Sequence, residues 1–168
     1  LRELFDLTLL GGDIVRGLGL QDPACVVTSF DRPNLRFEVH PCATGEKLRR
    51  LRRVVGEVGP GTKIVYVGRR ADAEEIAADL RANGFEAVAY HAGMDAQERR
   101  SAQERWLSGE VPIAVATLAF GMGIDKPDVR AVIHYQHPAS LESYYQEAGR
   151  AGRDGAPARC ILLFAAAD

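Results

Sequence analysis

Four short runs constrain this chain most: "KIVYV" (Lys63 to Val67), "PIAVAT" (Pro112 to Thr117), "AVIHY" (Ala131 to Tyr135) and "CILLFA" (Cys160 to Ala165). Each is nearly continuous in apolar and β-branched residues, the pattern of a strand buried on both faces. Between them lie segments of helical period. "GEKLRRLRRVVGEV" sets Leu48, Leu51, Val55 and Val58 on one face, so its arginines are predicted to form a solvated face. Asp72 with Glu75, and Asp95 with Glu98, have the spacing of a capping box and predict helices that stop near Gly84 and Gly109. A last helix is predicted from a Ser140 cap through Tyr144 and Tyr145 toward Gly149. Strand and helix in alternation imply an α/β fold, a parallel sheet with helices on both faces. Its chemistry belongs at the carboxyl edge of the strands.

The 168 residues, 46% of them hydrophobic, suffice for one domain with a full core. "LRELFDLTLLGG" reads as a lead-in of uncertain structure over 1–12, with the domain proper over 13–168. No apolar run is long enough to span a bilayer and no secretory leader is readable, which predicts an intracellular protein. Cys25, Cys42 and Cys160 are odd in number and far apart, so they are expected to be reduced and structural. The net charge of -2 excludes a globally basic nucleic-acid binder while leaving room for a local basic strip. Only Lys47, Lys63 and Lys126 among the 21 basic residues are lysines, a bias read here as composition and not as a binding signal. Because the chain begins at Leu1, it is expected to be a piece of something longer.

Several familiar sites fail on their spacing. Gly121 and Gly123 follow a predicted strand, but the third glycine of a dinucleotide fingerprint is missing and Pro127 stands where its helix should start. A Walker A loop is absent, and no serine sits in a Gly-x-Ser-x-Gly elbow. His91, His134 and His137 lack the helical spacing of metal ligands, so packing or hydrogen bonding is expected and no zinc site is predicted. "QEAGRAGRDG" remains. Helical spacing would put Arg150 and Arg153 on one face, where both forks reach one anion. Arginines at a helix end followed by glycine are equally ordinary punctuation, and the residues alone leave both readings open.

"YHAGM", "VATLAFGMGIDKPDVRAVIHY" and "SYYQEAGRAGRDG", in that order, resemble the later motifs of the RecQ family of DNA helicases, and "SFDRPNLRFEV" resembles the start of that family's second RecA-like lobe. The resemblance covers about Asp13 to Asp168 and is dense from Lys63 onward. Two features depart from it: Gly68 stands where members commonly carry Ser or Thr before the motif arginine, and Gln136 stands where many carry Asp. No Walker A motif and no Asp-Glu-x-His box are present, and the cysteine-rich zinc module that generally follows in the family is not part of the sequence.

The resemblance implies a RecA-like lobe that closes on ATP and magnesium held mainly by a first lobe of the same polypeptide. Arg150 and Arg153 match the arginine pair of that lobe, with Arg153 the finger on the γ-phosphate; Gln146, Asp125 and Gly123 belong to the nucleotide side, Asp125 accepting from the ribose. Gly149 and Gly152 would let the backbone approach the interface. Gly68, Arg69, His91, Gly93 and Thr117 would line the path of one DNA strand, although Thr117 reads equally as a loop cap and Arg99 as a solvated helix charge. The implied activity is 3′ to 5′ DNA unwinding driven by ATP, in DNA repair and recombination. The implied location is the bacterial cytoplasm with the nucleoid, or the nucleus if the source is eukaryotic. This chain alone is expected to be inactive. Two alternatives stay open: a catalytically silent module that binds single strands or a protein partner, and an RNA helicase lobe.

Overall fold

Six strands, all parallel, form one sheet in the order β1-β6-β5-β2-β4-β3. The computed structural model describes residues 15–22, 31–121 and 124–166. The chain divides into two units. In Leu1–Arg32 the described residues carry a single helical turn at 15–17, and Pro33–Asp168 holds the sheet. Along the second unit run β1 (Leu35–Pro41), α1 (Lys47–Val58), β2 (Thr62–Tyr66), α2 (Arg70–Ala82), β3 (Ala87–Tyr90), α3 (Ala96–Leu107), β4 (Ile113–Ala116), β5 (Val129–His134), α4 (Leu141–Ala148) and β6 (Ala158–Phe164). This is the parallel α/β architecture that the alternating pattern predicts, and the RecA-like lobe that the resemblance implies. No helix among the described residues is long and apolar enough to cross a membrane.

Both faces are covered because the central strands are apolar at most positions on either side. Successive side chains point to opposite faces, and the two cores separate accordingly. Val65, Val115 and Ile133 pack under Leu51, Val54 and Val55 of α1 and Ile76, Ala77 and Leu80 of α2. Ile64, Tyr66, Ala114 and Val132 pack under Ala102 and Trp106 of α3 and Ala148 at the end of α4. Trp106 is fully buried, meets Phe120 edge-on at 5.1 Å, and donates its indole N–H to the Lys63 carbonyl at 3.1 Å. The Lys63 ammonium, also buried, is satisfied by the carbonyls of Gly59 and Gly61.

Asp95 and Glu98 make the full reciprocal capping box, and Ser140 caps α4 by accepting from the Ser143 N–H. The other predicted start moves. α2 begins at Arg70, so Asp72 lies inside the first turn and not at the cap. Its carboxylate is taken by the Arg69 guanidinium at 2.6 and 3.0 Å, while its position still suits the positive helix end.

β1 is an edge strand in which polar side chains alternate with apolar ones; Leu35, Glu38 and His40 are half-buried while Phe37 and Val39 are exposed. Glu38 gathers Arg159 of the neighbouring β6 by two hydrogen bonds, with His40 and Arg36 beside it. The Arg159 hydrogen bonds, opposed by partial burial, hold the Glu38 carboxyl down to about 2 from an ordinary 4.5. A carboxyl depressed on folding stabilises the fold above its ordinary range, and that contribution disappears as pH falls through the folded value. Glu38→Gln is therefore expected to melt below the parent protein at pH 7. The gap should hold down to about pH 4.5 and close toward pH 2. A gap independent of pH would show that the ion pair contributes nothing.

Candidate nucleotide and nucleic-acid site

The central strand order sets β5, β2, β4 and β3 side by side, so the loops leaving them share one carboxyl edge. Sheet-like bonds continue just past the strands: Tyr135 N–H to the Tyr66 carbonyl, Val67 N–H to that of Ala116, and Thr117 N–H to that of Tyr90. Residues far apart in the chain thereby come together, with Gly68 to Arg70 after β2, His91 to Gly93 after β3, Thr117 after β4 and Gln136 after β5. This is the edge where the alternating pattern predicts chemistry.

Each predicted strand-side residue has a definite environment. Gly68 is exposed and its N–H donates to Gln136 Oε1 at 2.6 Å. Arg69 is spent on Asp72. His91 is buried; the Gly93 N–H donates to its Nδ1 at 3.1 Å, so the proton sits on Nε2, which donates to Glu74 at 2.9 Å. The imidazole thus fixes the loop that presents Gly93. Thr117 precedes a 3-10 turn, Leu118–Gly121, and its carbonyl accepts from the Phe120 N–H. Arg99, half-exposed on α3, also donates to the Met94 carbonyl at 2.8 Å and so braces the same loop.

Sequence reasoning missed Arg70. A β-carbon at Gly93 would stand 3.1 Å from its Nη1 and Cδ, so Arg70 crosses from the start of α2 to the loop after β3. It makes no ion pair or hydrogen bond among the described residues. The available signal was Asp72 three residues after Arg69, a spacing that pairs the first arginine on a helix and frees the second.

The arginine pair lies elsewhere. α4 ends at Ala148, and Arg150 and Arg153 sit in successive turns beyond it, not on one helical face. α4 packs back across the sheet, so the segment after it returns to the start of β5, where the Gly152 N–H donates to the Val129 carbonyl at 2.9 Å. Gly152 has φ of +55°, and a β-carbon there would meet Asn34 Nδ2 at 2.6 Å, the Ala156 carbonyl at 2.8 Å and Ala158 at 3.0 Å. Its bareness admits Asn34, which donates to the Gly152 and Ala156 carbonyls, and so serves packing within the domain instead of approach to an outside surface. Arg130 locks the far side of the turn by a forked pair with Asp154 at 2.6 and 2.7 Å.

Arg153 donates to Asp125 Oδ1 at 2.7 Å and to the Ile124 carbonyl at 3.3 Å, joining the two residues singled out as finger and ribose acceptor. Arg150 turns inward, its Nε buried without a hydrogen-bond partner. The Tyr66 hydroxyl, also buried and unpartnered, is pushed up to about 12 by burial, and the Arg150 charge beside it opposes that rise. Behind them His134 and Glu147 form a buried pair at 2.8 Å. Gln146 is exposed on α4, and Gly123 lies outside the described residues.

A family model described as the helicase conserved C-terminal domain matches residues 46–155. The chain belongs to this family. Among relatives of this helicase domain, the ATP-dependent DNA helicase RecQ of Pasteurella multocida is 46% identical over 157 residues, covering 93% of this chain and 24% of that protein. The RecQ of a Synechocystis strain is 43% identical over 152 residues, covering 89% of this chain and 32% of that protein. The chain thus spans about a quarter to a third of these RecQ relatives, and the similarity agrees with the motifs that carry the RecQ resemblance. In structure, the helicase domain matches the E. coli DEAD-box protein SrmB, solved bound to the regulator of ribonuclease activity A (RraA). The TM-score is 0.72 and the identity 28%, with 79% of this chain and 78% of that one covered.

Proposed function

We propose that this chain is the second motor lobe of a RecQ-type, ATP-dependent 3′ to 5′ DNA helicase, closing on nucleotide held by a first lobe and gripping one DNA strand along the carboxyl edge of its sheet. The observation that carries this reading is the division of cations between two places. Arg150 and Arg153 stand on the turn after α4, while Arg70, unpaired among the described residues, stands with Gly68, Gly93 and Thr117 at the strand edge. The arginine turn suits a polyphosphate, since it carries two guanidinium groups and Arg153 has a charged fork at the surface. Bound ATP and magnesium supply the transferable phosphoryl group and the cation that screens it, the metal being held by the first lobe.

Arg153 meets that phosphate only on closure, so its charge favours the transition state over the open ground state. Asp125 holds the guanidinium until then and takes the ribose hydroxyl once Arg153 has swung away. Gln146, exposed on α4, and Gly123 complete the nucleotide side. At the other edge, backbone N–H groups and a guanidinium grip phosphates without reading bases, as a translocating motor requires.

The full-length protein is expected to hydrolyse ATP only when single-stranded DNA is present and to separate duplexes bearing a 3′ tail. Equal stimulation by RNA would overturn the DNA assignment. Strand binding without hydrolysis would instead make it a silent binding module.

A further inference from the structure

We propose that Gln136 is a nucleic-acid contact whose side-chain amide donates to the sugar-phosphate strand, and that Gly68 is the residue that aims it. The proposal rests on the strand-gripping reading above. Gln136 Oε1 accepts from the Gly68 N–H at 2.6 Å, and this fixes the orientation of the carboxamide, because a backbone N–H has no use for an amide nitrogen. Nε2 and its two protons therefore face away from Gly68, and they find no partner among the described residues. The side chain is half-buried, so the donors are held at the rim of the sheet. In the neighbouring loop Arg70 offers a second unpaired donor group. A phosphodiester presents only acceptors, and a neutral amide beside a guanidinium matches it without any demand on base sequence.

The role of Gly68 follows from space. Its φ is not in the left-handed region, so the backbone does not require glycine there. A β-carbon would instead stand 2.6 Å from Gln136 Oε1 and 3.4 Å from its Cδ. Oε1 is the far end of a flexible side chain, so a methyl group at 68 would push the carboxamide aside without disturbing the sheet. Gly68 and Gln136 thus act as one unit.

The test measures binding of a fluorescent oligothymidylate to the full-length protein at low salt, with ATP absent. Gln136→Ala is expected to weaken binding about threefold to tenfold, the loss of one or two hydrogen bonds. Gln136→Glu should weaken it at least as much while melting like the parent, because a carboxylate still accepts from Gly68 but offers no donor and repels phosphate. Gly68→Ala should match Gln136→Ala, and the double variant should be no weaker than either single one. Parental affinity in Gln136→Glu, or additive losses in the double variant, overturns the proposal. Arg70→Ala separates the two levels. Loss there with none in the Gln136 variants overturns the Gln136 contact alone, whereas no binding by the parent protein overturns the strand-gripping reading and this proposal with it.

Discussion

Arg153→Ala in the full-length protein is expected to lower DNA-stimulated ATP turnover by about a thousandfold or more while leaving single-strand affinity unchanged. The split follows from position. Arg153 sits on the turn after α4 with Asp125, whereas Gly68, Arg70, Gly93 and Gln136 lie at the carboxyl edge of the sheet. Little stability is at risk, because the Arg153–Asp125 pair is exposed and such pairs contribute about 0–1 kcal/mol. Arg153→Lys should fail almost as badly, since an ammonium keeps the charge but loses the planar fork that engages two phosphate oxygens. Steady-state turnover and anisotropy on the same preparations make the check. Near-normal turnover in Arg153→Ala would remove it from the chemistry and leave Arg150 as the remaining candidate.

Gly152→Ala is expected to be strongly damaging, costing about 2–3 kcal/mol and lowering the melting temperature by about 5–10 °C. Two effects add there: a left-handed φ of +55° and a β-carbon within 3.0 Å of three neighbours, one of them a backbone carbonyl. Gly155 on the same turn provides the comparison. Its φ is +81°, but a β-carbon there meets nothing within 4 Å, so Gly155→Ala should cost only the backbone strain, about 1 kcal/mol. Denaturant midpoints at a common slope measure the difference. Equal losses would mean that Asn34 and Ala156 yield without cost and that crowding is not what selects glycine at 152.

Legibility in the sequence tracked how locally each feature is determined. β2, β4, β5 and β6 were readable because strands buried on both faces need apolar residues at nearly every central position. β3 is the sheet's other edge, a four-residue strand flanked by Glu86 and His91, so no apolar run extends past it to stand out. β1 mixes Arg36, Glu38 and His40 with its apolar positions because it is an edge, and only its pairing with β6 makes it a strand. Asp95 and Ser140 announced their helices since capping is a matter of a few adjacent residues; Asp72 misled because Arg69 competes for the same carboxylate. The arginine spacing misled for a related reason. Three residues mean one face only if the helix continues, and Gly149 and Gly152 end it. What no local pattern could carry is the meeting of Arg70 with Gly93 and of Gly68 with Gln136, which depends on strand order.

That order also has a consequence for how the protein comes into being. Among the described residues β1 joins the sheet only through β6, the last of the six strands, and the Glu38–Arg159 bond closes a separation of 121 residues. During synthesis at roughly 5–20 residues per second, β1 waits on the order of ten seconds with no partner for its backbone. Its alternation of charge with Phe37 and Val39 then acts as protection, keeping a nascent, unpaired strand from pairing with the same strand on another ribosome until its own β6 emerges.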